Sequence, residues 1–283
     1  MSQPIQQINF EFAFSDIANK ALEHVGDTIR YAQFLYHNTI NVSDYKETPL
    51  PTDELPFIIG GIKSENLSTE DLKRLSINWL NQKALEEFVA AILMCLEEAN
   101  KFLHFRKTAE ESKVKPIASA EEAEKLKRSI ATKSKKAHLP VHIEQIEKLL
   151  NYQLELKEEI SSINNARNCL VHRNGIVHEV DFNDKSIPCL RLKWVEYYHE
   201  LQLMNGDWKK LTFELRREGV ESKNLRITPI SRELCFSENE MTEYDINTII
   251  GVGWTCIFFI SSLYERIFQS IKDQYPLRFT EQR

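Results

Sequence analysis

The chain has 283 residues, 42% hydrophobic and 28% charged, an ordinary globular composition with length for one large domain. Eight glycines and nine prolines are few for that length, which argues against a loop-rich chain and for helices. A formal charge of -6 provides no global basic field for nucleic acid, and five scattered cysteines without a CxxC pair exclude a disulfide scaffold and read as reduced cytosolic thiols.

The N-terminal residues MSQPIQQINFEF lack a basic start followed by an apolar run, so no secretory signal is expected. Ile17, Ala21, Leu22, Val25, Ile29 and Ala32 then recur at three- and four-residue steps and predict a helix. Thr48-Pro49-Leu50-Pro51, Pro56 and Gly60-Gly61 mark a break into turns or extended chain. Ser68 and Asp71 form a capping arrangement for a long helix whose apolar side runs through Leu72, Leu75, Trp79, Leu80, Leu85, Phe88, Ile92, Leu96 and Leu103. Residues 107–136, rich in Lys, Glu, Ala and Ser, read as a charged, solvated helix or linker. Lys125, Lys127, Arg128, Lys133, Lys135 and Lys136 give it a local basic cluster, diluted by Glu121, Glu122 and Glu124.

After Pro140 a further helix is expected to carry Ile143, Ile146, Leu149, Leu154, Ile160 and Ile163 continuously into Asn164 and to stop at Asn174-Gly175. The period then changes to two. Leu190, Leu192 and Trp194 alternate with Arg191 and Lys193, and Leu211, Phe213 and Leu215 alternate with polar residues. Asn205-Gly206 is a strong hairpin signal, and Leu225, Ile227, Leu234 and Phe236 suggest further short strands. Residues 187–236 therefore read as a small antiparallel β insertion within a mainly α, single-domain chain spanning 1–283. Ser237 and Glu240 look like a capping box for the last helix. That helix contains the uncharged run from Ile246 to Tyr264, whose one-sided periodicity favours a core helix over a membrane span.

Several familiar motifs fail on spacing. Gly60-Gly61-Ile62-Lys63-Ser64 lacks the first glycine of a phosphate loop, and Gly251-Val252-Gly253 has no third glycine and sits in a helix. His138 and His142 flank Pro140 without a carboxylate arranged for a metal, and Cys169 with His172 lacks a second ligand pair. Neither a metal nor a cofactor is expected.

The segment Asn164 to Gly175 is different. At 100° per residue, Leu156, Ile160, Ile163, Ala166 and Leu170 share one apolar side, while Asn164, Asn168 and His172 stack on a polar stripe. Arg167 falls at the edge of the apolar face, where a guanidinium calls for a carboxylate, a phosphate or another subunit. His172 lies in the last turn, where the helix dipole favours a positive charge. In the plainer alternative, Arg167 reaches a surface carboxylate and His172 caps exposed carbonyls.

The run Ala166-Arg167-Asn168-Cys169-Leu170-Val171-His172 resembles the signature of the HEPN superfamily, an Arg followed by a polar residue, a spacer and a His. The resemblance implies a helical bundle that often dimerises with two motifs facing one shared cleft. It also implies a metal-independent endoribonuclease of toxin–antitoxin or antiviral type, in the cytoplasm, restrained or triggered by an antitoxin or sensor protein. On that reading His172 moves a proton, Arg167 holds the scissile phosphate, and Asn168 orients the phosphate or His172. Arg173 and Asn164 would add substrate contacts, and RNA is the partner. The alternative is a non-catalytic HEPN-like module for nucleotide, RNA or protein, with Trp194, Tyr197, Tyr198 and Trp208 of the insertion as its contacts.

Overall fold

The expected mainly helical architecture is present in the computed structural model, which describes residues 14–43, 68–112, 138–184, 186–211 and 221–274, with Glu121, Lys125, Arg128 and Ser129. Among the described residues there are five α-helices: α1 (Phe14–Ile40), α2 (Thr69–Ser112), α3 (Leu139–Leu150), α4 (Lys157–Arg173) and α5 (Ile246–Gln274). Between α4 and α5 lie a 3-10 turn (Glu179–Asp181) and three strands, β1 (Leu190–Leu203), β2 (Trp208–Lys210) and β3 (Ser222–Phe236). The expected turns at residues 48–61, the strand residues Phe213 and Leu215, and most of 113–137 lie outside the described residues.

Helical spacing of apolar residues decides which faces meet. Ala21, Val25, Ile29 and Ala32 of α1 are buried against α2 and α5, and His24 of α1 bonds Glu87 of α2 at 2.8 Å. The Asp71 backbone N–H donates to Ser68 Oγ at 3.1 Å, and the hydroxyl donates to the Asp71 carboxylate, so the expected cap starts α2. Leu85, Phe88, Ile92, Leu96 and Leu103 are buried as the periodicity requires. Leu75 and Trp79 are not: they stand 50% and 58% exposed, because α1 covers only the neighbouring face of α2 at that end.

The continuous helix expected from Pro140 to Asn174 is instead two. Asn151 and Leu156 both take left-handed backbone angles, φ 50 and φ 59, and end one helix and begin the next. Glu147 holds this corner by accepting from the Leu154 N–H at 2.8 Å and from Lys157 Nζ at 3.0 Å. Leu154 is thereby buried at a corner, so its apolar side chain matched the helical pattern without being helical. At the far end α4 stops as expected: Asn174 and Gly175 have φ 52 and φ 80, and a Cβ on Gly175 would lie 2.8 Å from Thr242 Oγ1.

The insertion is a three-stranded antiparallel sheet in the order β2-β1-β3. Asn205-Gly206 makes the β1–β2 turn, with Gly206 at φ 96, and the separate strands expected around Leu225 and Phe236 are one, paired along β1 from Leu190↔Phe236. Leu190, Leu192 and Trp194 are buried against α4 and α5, and Trp194 lies where a Cβ on Gly251 would reach 2.5 Å from its ring. Gly251 thus serves close helix–sheet packing, and Gly253 close packing against Ile29 of α1 and Phe88 of α2.

Among the described residues, no strand lies beside the edge of β1 opposite β3 near the core. Two helix hydroxyls complete it. Lys193 N donates to Ser162 Oγ at 2.8 Å, and Val195 N donates to Thr255 Oγ1 at 2.9 Å. The single proton of each hydroxyl lies nearer a carbonyl of its own helix, Glu159 at 2.8 Å and Gly251 at 2.9 Å, with the Lys193 and Val195 carbonyls as second acceptors at 3.2 Å and 3.3 Å. Thr255→Val keeps the shape and removes this pairing, so it is expected to cost about 1–3 kcal/mol, read as a lower denaturation midpoint with unchanged m-value.

α5 begins at Ile246, where Asp245 Oδ1 accepts the Thr248 N–H at 2.7 Å. The expected capping box is displaced: Glu240 accepts the Ser237 N–H at 2.7 Å, but it closes a turn before the Ile176↔Met241 bridge and not a helix. α5 is long and apolar enough to cross a membrane by length and composition. Ile249, Val252, Cys256, Phe259, Ile260, Leu263 and Ile267 are buried within the protein, as a core helix requires.

Candidate functional site

α4 presents the motif because its apolar side is consumed by the core. Ile160, Ile163, Ala166 and Leu170 are buried, which turns Asn164 and Asn168 to half-buried positions and His172 to solvent. Ten residues after the first helical residue, Lys157, Arg167 lies on the border of the two faces, half-buried, facing α2.

Arg167 Nη1 donates to Asn168 Oδ1 at 3.0 Å. Its Nε is buried and has no hydrogen-bond partner among the described residues. A guanidinium so placed retains donor capacity for an anion. Asn168 accepts from Arg167 through its oxygen, which leaves its Nδ2 amide as a donor. Asn164 makes no side-chain hydrogen bond among the described residues. His172, five residues beyond Arg167, stands about 7.5 Å further along the helix axis by rise alone, in the last turn.

Two carboxylates that sequence periodicity did not reveal shape the surroundings. Glu86 of α2 lies within the field of Arg167. Burial pushes its carboxyl up, but bonds from Lys83 and Gln82 and the charges of Lys83 and Arg167 together hold it below the usual range. A carboxyl depressed in the folded state adds stability that is complete above the ordinary carboxylate range and fades as pH falls through the folded value. Glu86→Gln is therefore expected to lower the melting temperature near neutrality, by less than about 1 kcal/mol equivalent, and to match wild type in strong acid.

The second carboxylate is Asp181, buried in the 3-10 turn. It accepts from Arg173 Nε at 2.6 Å and from Arg173 Nη2, and it accepts the His178 backbone N–H at 3.0 Å. The structure therefore commits the donor fork of Arg173 to the turn after α4, away from the open stripe. Nothing in the spacing of Arg173 and Asp181, eight residues apart across Gly175, advertised that pair.

The remaining candidates separate. His142 is buried on α3 with its Nδ1 2.6 Å from Asn100 Nδ2, whereas His138 is exposed at the N-cap of the same helix. Cys169 is buried, its thiol pushed up to about 11 chiefly by burial, and its Sγ donates to the Ile176 carbonyl at 3.5 Å. Among the described residues no group of three His, Cys, Asp or Glu side chains could hold a metal ion.

The aromatic side chains of the insertion are engaged within the protein. Trp194 is buried, and Tyr197 packs on Phe258 at 3.7 Å between ring centroids. Lys210 sits over Tyr198 and Arg226 over Trp208, at 5.0 Å and 4.2 Å.

What this arrangement can do chemically is bounded: one helix carries a cation with an unfilled donor, an amide donor beside it, and an exposed imidazole one to two turns on. No protein-family model, no curated protein and no solved structure matches this chain.

Proposed function

We propose that the chain is a metal-independent endoribonuclease of HEPN type, acting as a homodimer in toxin–antitoxin or antiphage defence. The observation that carries this reading is Arg167: half-buried, braced by Asn168, with a buried Nε that no group among the described residues accepts from. A phosphate oxygen supplies the missing acceptor.

In the proposed step the RNA 2′-oxygen attacks the adjacent phosphorus while the bond to the 5′-oxygen breaks. One imidazole takes the 2′-hydroxyl proton, and a protonated imidazole gives a proton to the leaving 5′-oxygen. The products are a 2′,3′-cyclic phosphate and a 5′-hydroxyl. Arg167 and the Asn168 amide meet the charge that develops on the phosphoryl oxygens. Each chain carries one His172 in the motif, so a dimer with facing α4 stripes supplies both the base and the acid. The exposure of His172 is consistent with that role, as is the Asn164 amide on the same stripe. Arg173 is assigned to holding Asp181.

The non-catalytic alternative rests on insertion aromatics that the protein itself covers, and draws correspondingly less support. The deciding experiment incubates purified protein with several RNA classes in excess chelator and maps the ends. Cyclic phosphate ends are expected; intact RNA across all classes, with a folded protein, would overturn the reading.

A further inference from the structure

A different cluster sits where the β ribbon leaves the core. In the register of the sheet Arg191 faces Cys235, and Cys189 lies two residues before Arg191, so the three side chains share one face of the sheet. Burial pushes the Cys189 thiol up, the neighbouring Cys235 thiol adds to that, and the Arg191 guanidinium opposes it. Arg191 is itself fixed, with Nη2 2.8 Å from Asp184 and Nη1 3.3 Å from Glu233. Cys235 is exposed and Cys189 is buried. The other three cysteines, Cys95, Cys169 and Cys256, are buried apart from this cluster.

We propose that Cys189 and Cys235 are a peroxide-sensitive thiol pair that closes into an intrachain disulfide. Exposure sets the order of events. The Cys235 thiolate attacks a peroxide oxygen, the O–O bond breaks, and Cys235 becomes a sulfenic acid as hydroxide leaves. The Cys189 sulfur then attacks the Cys235 sulfur; the S–O bond breaks, the S–S bond forms, and the hydroxyl departs as water with the Cys189 proton. Burial holds the Cys189 thiol in its protonated form, and the Arg191 guanidinium opposes that by favouring the thiolate. Placement of the two thiols as diagonal neighbours on one face of the sheet makes the second step intramolecular and therefore fast relative to further oxidation. Cys189 lies outside β1, in a bend that can move the short distance a disulfide requires.

The test treats the full-length reduced protein with limiting hydrogen peroxide, counts thiols in denaturant and maps unreduced peptides by mass spectrometry. The thiol count is expected to fall from five to three, with one cross-linked peptide pair joining Cys189 to Cys235. In Cys189→Ser the sulfenic acid on Cys235 is expected to persist and be trapped by dimedone, without a cross-link. A disulfide between Cys235 residues of two chains would overturn the proposal, as would sulfinic acid forming at Cys235 equally fast in wild type and Cys189→Ser. Should that variant fail to fold, the wild-type peptide map alone decides.

Discussion

His172→Ala is expected to reduce RNA cleavage by about 10²–10⁴-fold, the usual worth of a positioned proton-transfer group, with no loss of folding. The second half of that expectation follows from exposure: His172 is at the solvent end of α4 and supports no packing. Arg167→Ala is expected to lose about 10²–10³-fold for want of phosphate charge stabilisation, and Arg167→Lys to recover little, since a point charge cannot replace the fork held by Asn168. Rates at matched protein concentration, with circular dichroism and a sizing measurement alongside, separate catalysis from folding. Equal cutting by wild type and His172→Ala would place the chemistry elsewhere or in a contaminant. An Arg167→Ala protein that unfolds would show that the guanidinium serves the α2–α4 contact and Glu86 in place of a substrate.

Asp181→Ala is expected to have the largest effect on stability, about 2–4 kcal/mol, because it strands the Arg173 charge and the His178 N–H at once. The Asp181 side chain is 2% exposed and that of Arg173 24%, so water repays only part of the loss. Replacing both partners with apolar residues, Arg173→Met with Asp181→Leu, is expected to restore most of the midpoint in denaturant. The same double variant examines function: cleavage that survives it confirms that Arg173 holds a turn, and cleavage that disappears returns Arg173 to the substrate.

The elements whose signal was local were legible in the sequence. Ser68 and Asp71 did cap a helix, Asn205-Gly206 did turn a hairpin, and Asn174-Gly175 did end α4, because each of these is decided by a few adjacent dihedrals. Where the outcome depends on distant partners, periodicity misled. Leu154 fits the helical pattern yet lies in a corner fixed by Glu147, and Leu75 and Trp79 fit a core face that the described neighbours cover only in part. Ser237 and Glu240 do pair, but it is Asp245 that starts α5, since the chain first passes through the Ile176↔Met241 bridge. At the candidate site the stripe of Asn164, Asn168 and His172 was visible from α4 alone. Glu86 and Asp181 were not, for one comes from another helix and the other from beyond a turn.

The hydroxyls that complete β1 also determine which way the backbone of the sheet faces. Since Lys193 and Val195 direct their N–H and C=O groups at α4 and α5, Tyr197 continues the same alternation, and its partner Pro229 directs its nitrogen outward, along the rim of β3. A proline there removes no rung from the internal ladder and deletes one from the rim, midway along the strand that would otherwise recruit foreign chains. Lys223, Arg226, Arg232 and Glu233 charge the remainder of that rim. The ribbon is thus protected against edge-to-edge self-association by a missing donor as well as by charge, and a Pro229→Val chain would present an unbroken row of donors along that edge.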